Sequence, residues 1–174
     1  MQTNPLTRRS MLRRTGFLLS GVSALAGLNN VSRATAGTAP TEGKTPLDKV
    51  VGRTGKVNGA SYKYVVGRDD LRVIAMGAEV TTAIGLNTWA AFAGESDAAH
   101  IAGDVAMLEG EVNAVIRALR KHNLEVVAVH QHMLEEQPRI MFLHYYGSGP
   151  ALTLAEGFHA ALEQLGGKEK QAGG

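Results

Sequence analysis

The chain contains no cysteine, so disulfides and thiolate metal ligands are excluded and any soft metal must be held by histidine or methionine. The lipid-modified cysteine of a lipoprotein anchor is excluded with them. The apolar segment at 16–28 is about 13 residues long, too short for a bilayer core that takes roughly 20. No G-x-S-x-G nucleophile elbow, phosphate-binding P-loop, dinucleotide-binding glycine fingerprint or H-E-x-x-H zinc motif occurs, so no standard enzyme class is indicated.

What the N-terminus does hold is an export signal. Thr7, Arg8, Arg9, Ser10, Met11, Leu12 and Arg13 fit the twin-arginine pattern; the apolar segment follows, and Ala34-Thr35-Ala36 offers a small-x-small cleavage site. Residues 1–36 are therefore expected to be removed by export through the twin-arginine machinery, placing the protein in the periplasm or outside the cell with no stable membrane anchor. Five of the 18 basic residues lie in that segment and no acid does, leaving 13 bases against 16 acids, a net charge of −3. No basic stripe survives to bind phosphates, so nucleic acid is excluded as a partner.

The remaining 138 of 174 residues make one domain. Residues 37–48 read as a flexible Gly/Pro/Thr-rich leader, 49–166 as the domain, and 167–174 as a disordered tail. The β-rich runs 60–67 and 71–76 suggest a hairpin around Arg68, Asp69 and Asp70; 85–94 and 104–109 are further strands, with loop composition at 95–103. Val112, Val115, Ile116 and Leu119 recur at the spacing of one buried helix face, ending near Asn123. A second helix runs from Pro150 to Gly166 with a stripe of Leu154 or Ala155, Phe158, Leu162 and Leu165. The late order is strand, helix, strand, strand, helix. This predicts an α+β fold, a mostly antiparallel sheet with two helices packed on one face. In 126–133 and 139–146 both alternating sets of side chains are apolar, so a second sheet or a partner subunit should cover the free face. A homodimer is expected.

Those last two runs carry the candidate chemistry. His130 and His132 share one face of a strand, roughly 6.5–7 Å apart. If Met133 lies opposite Arg139, paired positions sum to 272; His144 then faces Ala128 on the same side, diagonal to His130. A one-residue slip would turn His144 to the opposite face. Three neutral imidazoles with an open fourth position suit zinc or another divalent transition metal. Met133 points away from them, and Glu109 and Glu111 are candidate oxygen ligands. Asn87, Trp89 and Arg139 are candidate ligand-binding residues, although Trp89 also reads as core and Arg139 as a turn ion pair with Glu135 and Glu136 in a solvated turn. His159 reads as a core-boundary residue and His122 as a helix C-terminal partner.

Three blocks, "GLNTWAAFAG" (85–94), "GDVAMLEGEVNAVIRAL" (103–119) and "VVAVHQHMLEEQPRIMFLHYYGSGPA" (126–151), resemble the LppY/LpqO family, exported bacterial proteins and lipoproteins classed as a domain of unknown function. The resemblance spans 50–165. Gln131 stands where that family's histidine block has Asn, and one domain stands here where many members carry two, which implies a homodimer replacing an internal pair. The resemblance brings export and domain extent but no activity. The expected function is metal binding through His130, His132 and His144, serving hydrolysis or metal handling. The alternatives are a non-metal module for a small envelope ligand, or a dimeric interaction protein.

Overall fold

The computed structural model describes residues 45–166; the expected signal peptide, most of the leader and the tail lie outside the described residues. The leader does not extend to residue 48. Thr45 caps a short helix, α1 (Pro46–Val51): its hydroxyl accepts from Asp48 N while the Asp48 carboxylate accepts from Thr45 N, and Pro46 opens the first turn. Strands β1 (Lys56–Asn58), β2 (Ser61–Gly67), β3 (Val73–Ala75) and β4 (Ala78–Val80) follow, then β5 (Asn87–Glu95), β6 (Ala98–Leu108), α2 (Val112–Lys121), β7 (Glu125–Gln131), β8 (Ile140–Gly149) and α3 (Ala151–Leu162). The fold is α+β. Six antiparallel strands form one sheet in the order β1-β2-β5-β6-β8-β7, and β3 and β4 form a small second sheet.

Two strand expectations are corrected. β2 does not pair with β3: Arg68 and Asp70 do not close a hairpin but form an ion pair in which Arg68 is buried and Asp70 exposed, and β3 turns back on β4 through Met76 and Gly77, both at positive φ. The stretch with loop composition is mostly strand. Ala98, His100 and Ala102 face one side and Ala99, Ile101 and Gly103 the other, paired with β5 through a turn at Ser96 and Asp97. Small residues hide the alternation there, because alanine and glycine give little hydrophobic contrast.

The helices lie on one face over Tyr64, Phe92, Ile101, Val105, Leu143 and Tyr145, with Val115, Leu119, Leu154, Ala155 and Phe158 of α2 and α3 packed into them. The apolar stripes read from the sequence are these faces, although α3 closes at Leu162 and α1 is a third helix in the layer. Gly103 is required by close approach: a Cβ there would lie 2.2 Å from the Trp89 carbonyl oxygen and 2.4 Å from the Tyr145 hydroxyl. On the opposite face, the β3–β4 sheet buries Ala106, Ile140 and Phe142 under Val73, Ala75, Val80 and Leu86. This second layer covers only one end of the sheet. It leaves Val65, Ala102, Ala128 and Tyr146 exposed and Trp89 partly so, which accounts for the doubly apolar strands β7 and β8 only in part.

Candidate functional site

The histidines sit at the boundary between the covered and the open halves of this face. β7 and β8 pair with Ala128 opposite His144 and His130 opposite Phe142, the register that places all three histidines on one side. An irregularity between Val126 and Ala128 restores it after a break in the ladder. The diagonal neighbours then meet. The Nε2 atoms of His130 and His144 are 2.8 Å apart, and their rings lie nearly parallel with centroids at 4.9 Å. His132 does not join them. It stacks on Phe142 at 4.6 Å.

Each of the three imidazoles is anchored through Nδ1. His130 Nδ1 faces the Gln131 carbonyl oxygen at 2.9 Å, His132 Nδ1 faces Glu136 Oε2 at 2.9 Å, and His144 Nδ1 contacts Asp104 Oδ1. In the tautomer that lets Nδ1 donate to these oxygen acceptors, the Nε2 of each ring is left with a bare lone pair. This is the arrangement that outer-sphere carboxylates and carbonyls impose on metal-ligating histidines. For His130 and His144 it has a sharper consequence. Two bare lone pairs at 2.8 Å repel unless a cation, a proton or a metal ion, lies between them.

Two of these partners escaped the sequence reading. Asp104 opens a recognised strand, but only the non-local β6–β8 pairing sets it opposite His144. Glu136 was expected in a solvated turn and is instead buried. It accepts from Met133 N at 3.2 Å and Ile140 N at 3.0 Å as well as from His132, holding the loop between β7 and β8 closed. The clue is the i, i+4 spacing of His132 and Glu136 in the turn ahead of Pro138, which an acidic dipeptide disguises as surface. Glu136→Gln retains one acceptor oxygen for three donors and is expected to cost about 1–2 kcal/mol in urea unfolding. A loss under a few tenths would show the loop to be held by other contacts.

The remaining candidates separate. Glu111 lies away from the histidines, paired with Arg68 and accepting from Leu108 N and Gly166 N, and Glu109 is exposed. Trp89 is not core: it stands on the open face opposite Asp104, with Lys63 Nζ 4.2 Å above its ring. Asn87 donates to the Thr82 carbonyl oxygen at 3.1 Å, and Arg139 is exposed. A depression of about 440 Å³ lies between 68–71 and 79–86, lined by Asp69, Thr81 and Thr82 among others, and none of Asn87, Trp89 or Arg139 contributes to it. His100 faces the Tyr146 hydroxyl at 2.6 Å, and His159 Nε2 is 3.4 Å from Glu163. Among the described residues, no three His, Asp or Glu side chains are grouped as a set that could hold a metal. Of the three histidines expected to converge, the structure brings His130 and His144 together and leaves His132 beside Phe142.

No curated protein and no solved structure matches the chain. One family model does, over residues 45–164, from the helix cap at Thr45 to the turn that follows α3. That span is more than half of the sequence and contains every element described above, so the chain belongs to the family described as Domain of Unknown Function (DUF1259).

Proposed function

We propose that this is an exported protein that binds a divalent transition metal, zinc first, through the Nε2 atoms of His130 and His144. The observation that carries the reading is the pair of anchored imidazoles whose lone pairs face each other at 2.8 Å. Zinc–nitrogen bonds of about 2.0–2.1 Å in tetrahedral geometry need nitrogens roughly 3.3 Å apart. His130 is exposed and the His144 side chain is 39% exposed, so an opening of about half an ångström meets little packing. His132 is oriented in the same way by Glu136 but is held apart by Phe142, and it is the reserve ligand rather than a primary one. Two protein donors suit metal handling better than the three-donor catalytic zinc sites. Export by the twin-arginine route and a place beside the LppY/LpqO proteins complete the proposal, resting on the N-terminal pattern and on the three sequence blocks.

Trp89 is the single tryptophan and stands two strands from His144 across the sheet, so its emission reports on the site. Adding Cu²⁺ to the full chain should quench it, Zn²⁺ should compete, and His130→Ala and His144→Ala should each weaken the effect at least about 100-fold, worth about 2.7 kcal/mol. His132→Ala should change it by less than about fivefold. Quenching that survives in both single variants would sink the assignment. A second reading, a small-ligand module, is favoured by Trp89 and Lys63 on the open face. It predicts that Trp89 responds to a ligand in the presence of chelator.

A further inference from the structure

The metal reading leaves a coordination shell half filled. A closed zinc site takes four donors in a tetrahedron, and this chain directs two at one point. The other histidines do not reach that point: His132 lies against Phe142, His100 faces Tyr146 and His159 faces Glu163, while His122 caps α2 on the helix side of the sheet. The nearby carboxylate, Asp104, is spent on His144 Nδ1.

We infer that the missing donors come from a second copy of this chain, the two His130–His144 pairs closing one metal ion across a twofold axis. The inference rests on the metal reading above. In a twofold interface the same patch meets itself, so a pair of imidazoles presented outward becomes a set of four without any further residue. The placement fits. His130 belongs to β7, the edge strand of the sheet, and is exposed, so among the described residues it is open to a partner. The surrounding face is low: Val65 is 56% exposed and Tyr146 44%, with Ala102 and Ala128 exposed between and beside them, and Lys63 and His100 are polar residues on it. Alanine is disfavoured in strands, and here it keeps the floor flat enough for two imidazole pairs to approach.

The size of the patch makes the metal decisive. The five longer strands at about 4.8 Å spacing, with roughly five residues per strand outside the β3–β4 layer, give a flat area of roughly 19 by 16 Å. That is below the roughly 800 Å² per partner of a standard interface, so the face alone should not hold a dimer together.

The experiment is sedimentation of the untagged full chain, stripped with EDTA and then titrated with Zn²⁺, with bound zinc measured on the same samples. The expected result is a monomer without zinc and a dimer with it, at one zinc per two chains. His130→Ala and His144→Ala should remain monomeric at every zinc concentration, and His132→Ala should still dimerise. A monomer binding one zinc per chain would overturn the shared site while leaving the metal reading intact. A dimer that persists in EDTA would also overturn it. Absence of zinc uptake would overturn both.

Discussion

Asp48→Ala is expected to cost roughly 4 kcal/mol of folding stability, because it strips the acceptor from several buried donors at once. The carboxylate is 5% exposed. It accepts from Gly55 N at 2.9 Å, from the Tyr64 hydroxyl at 2.8 Å and from the Tyr62 hydroxyl at 3.1 Å, besides closing the α1 capping box through Thr45 N at 2.8 Å. Each donor stranded in the core costs about 1–3 kcal/mol. Burial alone would raise the Asp48 pKa, but the hydrogen bonds from Gly55, Thr45, Tyr64 and Tyr62 outweigh it and hold the carboxyl below its ordinary 3.8. A depressed carboxyl contributes stability that is fully present above 3.8 and is lost as pH falls through the lower folded value. The phenols move the other way: burial first, then the hydrogen bond and charge of Asp48, raise Tyr62 and Tyr64 above 10.0. Their share is present below pH 10 and is lost as pH rises toward the folded values. Urea midpoints measured from pH 2.5 to 11 should therefore fall at both ends. Asp48→Asn, which keeps one acceptor oxygen but no charge, should cost less than Asp48→Ala and flatten the acid limb. An unchanged acid limb in that variant would remove Asp48 from the account.

The same carboxylate marks the limit of the sequence reading. Composition places Asp48 in the flexible leader, since Gly, Pro and Thr precede it and its partners beyond Thr45 lie seven to 16 residues away. Local pattern carries the helices, because Val115, Leu119, Leu154 and Phe158 repeat with the period of a buried face. It narrows the β7–β8 register to a choice of turn, because a short connection ties the two strands; the pairing that sets Ala128 opposite His144 and His130 opposite Phe142 is one of those choices, and a one-residue slip is another. What it does not carry is non-local. The partner of Arg68 is 43 residues on, at Glu111, and Asp104 reaches His144 across 40. Those pairings decide which carboxylate holds which histidine. The place of the third histidine is likewise set by packing that the sequence pattern does not specify, since His132 stacks on Phe142 at 4.6 Å rather than meeting the pair.

Arg68→Met is expected to destabilise the domain by about 3–5 kcal/mol, the range for breaking a buried ion pair from one side. Arg68 is 3% exposed, and each of its five N–H groups has a partner. Nε and Nη2 donate to Asp70 at 2.9 Å each, Nη1 donates to the Ala106 carbonyl oxygen at 2.9 Å and to Glu111 Oε2 at 2.8 Å, and Nη2 reaches Glu111 Oε1 at 3.1 Å. Burial works against the charge, but Asp70 and Glu111 prevail and raise the guanidinium above its ordinary value. Asp70 is held low, first by that hydrogen bond. Methionine fills a similar volume without a donor, so the cost falls on what is left behind. The Glu111 side chain is only 11% exposed, whereas that of Asp70 is 42% exposed and can turn to water. Glu111 is thus the group left with an unpaired charge, although Leu108 N and Gly166 N still donate to it. Adding Glu111→Gln removes that charge while keeping an acceptor for Leu108 N, and the double variant should recover about 1–2 kcal/mol of the loss in a double-mutant cycle. Arg68→Lys should recover little, because three rotating donors cannot replace a planar fork that serves two carboxylates and a carbonyl. If Arg68→Met unfolds within 1 kcal/mol of the parent, or if Glu111→Gln deepens its loss, the ion pair is not what joins the end of β2 to the start of α2.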